Sequence, residues 1–411
     1  MNSLTPLSSK LTSCQSMSRL RQLQACSIHS NVVKHNYGPA TPQTMTGSLA
    51  ANLMGHQNTT GVAARRMLST SNKLSVTCQQ LIMEEYGEPE KVVKMQSVEL
   101  PSLKPGEVLI KMIATTINPS DINTIQGMYA VKPDLPCILG NEGVAEVIEV
   151  SSEGEKGPLQ VGDWVIPVMN AYGTWRSHAI GTHDEFTKLP KGMDAAAAAT
   201  LSVNPTTAYR MLKDFVKLEK GDLVIQNAGN SGVGRAVIQL CAHYGYKSIN
   251  VVRDRPAIAE LKKELMDMGA TMVLTERELR VSRELRAMEK PPLALNCVSG
   301  KSATELIRLM RDGGVMVTYG GMARQPVTVP VGSLIFSDVR LVGYWQTRWS
   351  LNPANQEAKK EMLSDLCEFF KKGTMVVPPH KMVPHTDYMK ALADAMPADG
   401  QVGCKQILTF N

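Results

Sequence analysis

Leu223-Val224-Ile225-Gln226-Asn227-Ala228-Gly229-Asn230-Ser231-Gly232-Val233-Gly234 decides how this chain folds. An apolar run ends in a glycine turn. Ala236, Val237, Ile238, Leu240 and Cys241 follow with helical spacing, and Ile249, Val251 and Val252 form a second apolar run that closes on Arg253-Asp254-Arg255. Strand, glycine turn, helix, strand is one βαβ unit with its glycines at the first turn. Such a turn lets a pyrophosphate approach the backbone and rest on a helix N-terminus, where unpaired N–H groups and the helix dipole favour anions.

The glycine pattern is weak by itself. Ser231 stands where the middle glycine of G-x-G-x-x-G would be, and a strand–helix turn that binds nothing is the bland alternative. The end of the second strand adds chemistry. A unit that binds NAD wants an acid there for the ribose 2′-hydroxyl, whereas one that binds NADP wants an arginine for the 2′-phosphate. Arg253 takes that place with Arg255 behind it. Against an ordinary solvated arginine pair, the phosphate reading is favoured, and the cofactor expected is NADPH.

Working outward, the segment from about Lys73 to Leu201 reads as β-rich. Pro105-Gly106 turns into Glu107 to Ile113, Gly143 to Val150 is rich in β-branched residues, and Val161-Gly162-Asp163 turns into Trp164 to Pro167. Asp194 can cap a short alanine helix from Ala195 to Ala199. Short strands at this spacing suggest a small barrel-like domain. From about Asn204 to Gly343 strands and helices alternate, with further strands at Leu293 to Cys297, Val315 to Tyr319 and Val339 to Trp345, which argues for a doubly wound parallel sheet. A charged helical stretch from Gln356 to Lys372 leads to a tail containing Lys405-Gln406-Ile407-Leu408.

The chain has 411 residues, 43% of them hydrophobic and 20% charged, which suits globular domains and leaves ample core. No apolar run is long enough for a bilayer, so no membrane role is expected. The first acid is Glu84. Before it stand Lys10, Arg19, Arg21, Lys34, Arg65, Arg66 and Lys73 amid many Ser, Thr, Asn and Gln. Arginine-containing, serine-rich and acid-free is the pattern of an organellar transit peptide. Residues 1–68 are therefore expected to be a mitochondrial leader, with processing near Arg65-Arg66-Met67-Leu68-Ser69-Thr70 and delivery to the matrix. The alternative is a tail with no address. Six basic residues precede Ser69 and the full chain is +6, so the mature chain is near neutral and nucleic acid is not an expected partner. The eight cysteines form no C-x-x-C pair, which argues against a zinc knuckle or a disulfide framework.

A β-rich domain, a dinucleotide domain and a returning tail resemble the medium-chain dehydrogenase/reductase superfamily. Leu139-Gly140-Asn141-Glu142-Gly143 and Pro205-Thr206-Thr207-Ala208-Tyr209 match its landmarks. The resemblance implies a GroES-like β-rich catalytic domain over 73–203 and 350–411 and a Rossmann NADPH-binding domain over 204–349. Zinc alcohol dehydrogenases of that superfamily read G-H-E where this chain has Gly140-Asn141-Glu142, and their other ligands fall at Asn118 and near Val203. Asn, Asn and Val do not supply the thiolate and imidazole ligands zinc wants, so no metal is expected.

Within the zinc-free branch, the chain is similar to the mitochondrial trans-2-enoyl-thioester reductases. The match rests on Ile117-Asn118-Pro119-Ser120-Asp121-Ile122-Asn123, Gln126-Gly127-Met128-Tyr129, Gln226-Asn227-Ala228, Val251 to Pro256, Leu295-Asn296-Cys297 and Tyr319-Gly320-Gly321-Met322. The resemblance implies reduction of enoyl-CoA or enoyl-acyl-carrier-protein with NADPH, in a homodimer. It implies Tyr129 as the proton donor, and a phenol keeps its proton at neutral pH without tuning. A tyrosine merely packed in the loop after Gly127 is the alternative. It further implies cofactor contacts from Asn204, from Asn230, Ser231, Gly232 and Val233, from Arg253, Asp254 and Arg255, from Tyr319, Gly320, Gly321 and Met322, from Tyr344, Trp345, Gln346 and Thr347, and from Lys405. Tyr344 and Trp345 could instead serve a sheet edge or a dimer interface. Asn118 is expected to organise the loop near Tyr129. A zinc-free quinone reductase, which needs no dedicated donor at Tyr129, and a non-enzymatic nucleotide- or RNA-binding role are the competing readings.

Overall fold

The computed structural model describes residues 75–154, 157–396 and 403–410; the expected leader and its processing site lie outside them. The βαβ unit forms as read. Strand Leu223–Asn227 is buried along its whole length, and Lys247–Val252 pairs beside it in parallel. Strands covered on both faces need continuous apolar runs rather than alternation, which is why this part of the sequence was so plain. Six parallel strands make the sheet, in the order Met272–Thr275, Lys247–Val252, Leu223–Asn227, Leu293–Asn296, Val315–Thr318, Arg340–Gly343. The chain runs outward from Leu223–Asn227 on one side, then returns to begin again at Leu293–Asn296 on the other. The strand order therefore reverses between these two strands, and a crevice opens past their carboxyl ends.

Helix Gly232–Tyr244 is tied at both ends. Ser231 caps it by accepting from the Gly234 N–H, and Gly245 ends it at φ 78°. Helix Asn204–Asp214, opened by Pro205, packs against it. Helix Gln356–Lys371 buries Met362, Leu363, Leu366 and Cys367 in the same core as Tyr209, Val237 and Leu240. Three strands end earlier than the sequence suggests, the first being Leu293–Asn296, which stops before Cys297. Val315–Thr318 stops before Tyr319, and Arg340–Gly343 stops before Tyr344, because Trp345 opens a helix at Gln346–Leu351.

The β-rich part divides into two sheets. Seven strands include, in order, His380–Pro384, Lys405–Thr409, Glu107–Thr116, Gly143–Val150, Trp164–Pro167 and Phe186–Lys188, with His178–Thr182 paired to Glu107–Thr116 off this path. Val93–Leu100, Val76–Met83 and Cys137–Ile138 make a smaller antiparallel sheet. Leu81, Ile110, Ile122, Trp175 and Leu408 share the core between them. The tail strand lies directly beside Glu107–Thr116, with Ile407 opposite Thr116. That register delivers Lys405 to the segment just past Thr116, where the candidate site begins. Asp194 accepts from the Ala196 and Ala197 N–H groups and caps Ala195–Ala199 as expected.

Candidate active site

Tyr129 stands just past helix Pro119–Ile125. The carbonyl of Asn123 accepts from both the Met128 N–H (2.8 Å) and the Tyr129 N–H (3.0 Å), so the loop folds back on its own helix. Gly127 makes the turn at φ 67°, and a Cβ there would sit 3.3 Å from Tyr86. The helix begins at Asn118 in a capping box, whose N–H donates to Asp121 Oδ2 at 2.7 Å. Asn118 thereby fixes the start of the helix that leads to Tyr129.

The Tyr129 ring meets Trp345 edge to face, with centroids 6.3 Å apart. Trp345 Nε1 donates to the Tyr129 hydroxyl oxygen at 3.0 Å. An indole N–H can only donate, so the direction of this bond is fixed. The phenol keeps its own hydrogen for another acceptor. Once that proton leaves, the same indole N–H faces the phenolate oxygen and stabilises it. Trp345 lies two residues beyond strand Arg340–Gly343, so the end of the parallel sheet touches the loop of the β-rich part.

The glycine turn is built for close approach. Ala228 sits at φ 50°, and the Gly229 N–H donates to the Val251 carbonyl at 3.1 Å. A Cβ on Gly232 would fall 2.8 Å from the Asn204 amide nitrogen, so Asn204 lies against the turn. A Cβ on Gly234 would fall 2.5 Å from the Ala228 carbonyl oxygen. Gly232 and Val233 open the helix, whose first N–H groups have no intrahelical acceptor. Ser231 spends its hydroxyl on capping. Buried amides lock the strand ends: Gln226 bonds Asn250 (2.7 Å) and the Gly234 carbonyl (2.8 Å), and Asn227 bonds Asn296 (2.8 Å) and the Cys297 N–H (2.9 Å).

Arginines gather beside this turn. Arg235 is buried, binds Glu264 through two nitrogens (2.6 and 3.0 Å) and donates from Nε to the Asn230 carbonyl at 3.1 Å. Burial, then repulsion from Arg253 and Arg235, lowers the pKa of Arg255. Its Nε is buried without a hydrogen-bond partner. Arg253 and Asp254 are exposed, and Asp254 accepts from the Arg255 N–H at 3.0 Å. Clustered guanidinium groups with an unused donor suit a phosphate.

The later segments divide. The Tyr319 hydroxyl is buried without a partner, its pKa raised by burial and then by the neighbouring Cys297, with Ser231 close by. Gly320 packs on Cys297, with Cβ space of only 3.1 Å. Gly321 and Met322 are exposed. Tyr344 turns into the core, its ring 5.8 Å edge to face from Phe215 and its hydroxyl bonded to buried Gln346. Thr347 Oγ1 accepts from the Asn170 amide at 3.2 Å. Lys405 Nζ donates to Asn118 Oδ1 and lies 3.7 Å from Glu142 Oε1. Burial lowers its pKa, opposed by Glu142 and Asp121.

Sequence reasoning missed Glu142, Asp121, Asn141 and Arg235. Asp121 is buried, and the Asn141 amide donates to its Oδ1 at 2.6 Å. Asp121, Asn141 and Glu142 stand inside motifs matched above, but their spacing gives them no role; the further signal was an acid inside an apolar stretch, Glu142 before Gly143-Val144-Ala145. At the positions where zinc relatives place ligands stand Asn118, Asn141 and Val203, and an ammonium, Lys405, is bonded to Asn118. A cation beside neutral amides does not fit zinc.

Two family models match: the alcohol dehydrogenase GroES-like domain over residues 104–205, and the zinc-binding dehydrogenase domain over residues 232–365. The mitochondrial enoyl-[acyl-carrier-protein] reductase of Rattus norvegicus is 48% identical over 333 residues, covering 80% of this chain and 88% of its own. The Homo sapiens enzyme is 47% identical over the same shares. The chain belongs to the mitochondrial enoyl-[acyl-carrier-protein] reductase family. Solved structures similar to this family member include the Etr1p complex with NADP and crotonyl-CoA, and the mitochondrial 2-enoyl thioester reductase Etr1p/Etr2p heterodimer from Candida tropicalis. Each is 37% identical with a TM-score of 0.75, and covers 82% of this chain and 100% of the other. A NADPH:quinone reductase from Bacillus thuringiensis, 24% identical with a TM-score of 0.72 over 82% of this chain and 100% of its own, shares the fold.

Proposed function

We propose that this enzyme reduces trans-2-enoyl thioesters, carried on CoA or acyl-carrier protein, to saturated acyl thioesters with NADPH in mitochondrial fatty-acid synthesis, and that Tyr129 delivers the proton. The observation that carries the mechanism is the Trp345 N–H donated to the Tyr129 oxygen at 3.0 Å. It leaves the phenol's hydrogen unspent and stands ready to stabilise the oxygen after transfer.

NADPH, when bound, would supply a hydride for the β-carbon, which the thioester makes electrophilic. The resulting enolate needs a proton at the α-carbon, and a positioned phenol meets that need without a metal. The helix start at Gly232 and Val233, with Asn204 against the turn, supports a pyrophosphate seat. Arg253 and Arg255 support a 2′-phosphate site, with Asp254 beside them and Ser231 and Asn230 shaping the turn. Tyr319, Gly320, Gly321 and Met322 and the segment Tyr344 to Thr347 follow the strand ends near which the nicotinamide would lie. Of the second segment, Trp345 is the residue that reaches Tyr129. Lys405 would reach the cofactor from the tail.

The division into a catalytic domain of 73–203 with 350–411 and a cofactor domain of 204–349 is part of this reading. A homodimer is too. Strand Arg340–Gly343 forms the sheet's outer edge, and near it Val331, Ile335 and Phe336 are strongly exposed. An unpaired edge beside apolar surface favours pairing with a second copy.

The discriminating experiment follows NADPH oxidation with crotonyl-CoA and with a quinone in parallel. Turnover of the thioester is expected. A chain that oxidises NADPH only with the quinone belongs to the competing activity.

A further inference from the structure

One carboxylate gathers donors from three separated parts of the chain. Glu142 is fully buried. Its Oε1 accepts from Thr116 Oγ1 at 2.8 Å and from the Asn118 amide at 2.8 Å. Lys405 Nζ lies 3.7 Å from the same oxygen. Ser202 Oγ donates to Oε2 at 3.4 Å. Its backbone carbonyl accepts from Thr115 Oγ1 (2.6 Å) and Thr174 Oγ1 (3.0 Å).

Each donor leads to a different piece of the site. Asn118 caps the helix that leads into the Tyr129 loop, and Lys405 is held by Asn118 and Glu142 together. Ser202 stands two residues before Asn204, whose amide lies against Gly232. Burying a carboxylate is costly unless its partners are well made, and a sheet of this size does not need one for packing. The surrounding contacts make sense if the carboxylate fixes separate segments relative to one another.

We propose that Glu142 is a positioning residue for proton delivery: it joins the helix that leads into the Tyr129 loop, the tail lysine and the start of the Asn204 helix, and so sets where the Tyr129 hydroxyl stands relative to the glycine turn. The inference rests on the reading of Tyr129 as proton donor. Glu142 itself touches no reacting atom. Its effect on rate runs through Tyr129.

A double-mutant cycle on the full chain tests this. Glu142→Gln keeps the shape and the acceptor and loses the charge that holds Lys405. Alone it is expected to lower kcat on crotonyl-CoA by about tenfold or more, with KM for crotonyl-CoA nearly unchanged, as a misplaced group would. In a Tyr129→Phe background the same change is expected to cost less than about twofold, because there is no hydroxyl left to misplace. Equal losses in both backgrounds, or an unchanged kcat in the single variant, would overturn the proposal. If Glu142→Gln does not fold, Ser202→Ala removes one arm and keeps the carboxylate; its smaller loss of kcat must also vanish with Tyr129→Phe. Wild-type turnover separates the two ideas. No turnover of enoyl thioester sinks the parent reading and this one with it, whereas turnover with additive losses sinks only the role of Glu142.

Discussion

Tyr129 makes the sharpest test because one hydroxyl separates it from phenylalanine. Tyr129→Phe keeps the ring against Trp345 and removes the group the indole donates to. NADPH binding should survive while kcat falls by roughly 10²–10⁴, the usual share of a positioned general acid. Near-wild-type turnover by a folded variant would assign the proton to another group. The arginines carry a second prediction. Arg253→Asp with Arg255→Ala should cost NADPH much more than NADH, shifting the ratio of kcat/KM values by about tenfold or more, since each charge-assisted bond is worth roughly 1.5–3 kcal/mol. An unmoved ratio removes both from the phosphate site. Asp121 gives a pH dependence. Burial pushes its carboxyl up to about 7 against the pull of the Asn118 N–H, Lys405 and the Asn141 amide. An unfolded aspartate titrates near ~3.9, so between those values the folded chain holds a proton that the unfolded chain releases. The stability this residue contributes is therefore full below about pH 4 and is lost as pH rises through about 7. Asp121→Asn removes that loss, so its melting temperature should gain on wild type more at about pH 8 than at about pH 5. Melting curves offset equally at both would mean the carboxylate stays ionised throughout.

The glycine turn shows what an element asks of its sequence. Gly234 lets helix Gly232–Tyr244 dock on its own entry loop, because a Cβ there would meet the Ala228 carbonyl oxygen at 2.5 Å and Gly229 backbone at 2.7 Å. Backbone cannot step aside as a side chain can, so Gly234→Ala should destabilise the chain by about 1–3 kcal/mol and weaken NADPH, read by thermal melts and cofactor fluorescence. A variant with unchanged stability and affinity would show that the turn relaxes freely. Elements of this kind were legible in advance. Leu223–Asn227 and Leu293–Asn296 are buried throughout and so read as plain apolar runs, and Asp194 announces its helix by side-chain chemistry. The outlying strands were not. Val76–Met83 mixes Gln79 and Gln80 into its course, and Cys137–Ile138 is two residues long, so neither carries a period to read. Among candidate site residues, those on the turn and at the arginine strand end were visible because local spacing decides them. The Tyr344 side chain enters the core, and nothing in Gly343-Tyr344-Trp345 tells which way a residue turns once the strand has stopped. The Trp345–Tyr129 bond spans 216 positions and the Glu142 contacts reach from Thr116 to Lys405, and only the packed chain brings such residues together.

At the scale of the whole molecule, the two halves of the candidate site come from different sheets: Tyr129, the proposed proton donor, from the β-rich part, the glycine turn and Trp345 from the parallel sheet. Their alignment depends on keeping the end of strand Arg340–Gly343 in place, since Trp345 hangs two residues beyond it. Among the described residues that strand has one neighbour, Val315–Thr318, and an open side. Phe336 is 83% exposed, with Ile335 at 67% and Val331 at 65%, a concentration of apolar surface that an isolated chain would leave in water. A second copy covering the edge would bury it and brace the segment that holds Trp345. If the proposed homodimer uses this face, Phe336→Asp should shift it from dimer to monomer in sedimentation, because a charge in an apolar contact must be desolvated without a partner. Activity should fall as the dimer dissociates and return at protein concentrations high enough to restore it. A dimer that survives Phe336→Asp with unchanged affinity would place the contact elsewhere, and full activity in the dissociated monomer would show that strand Arg340–Gly343 holds Trp345 against Tyr129 unaided.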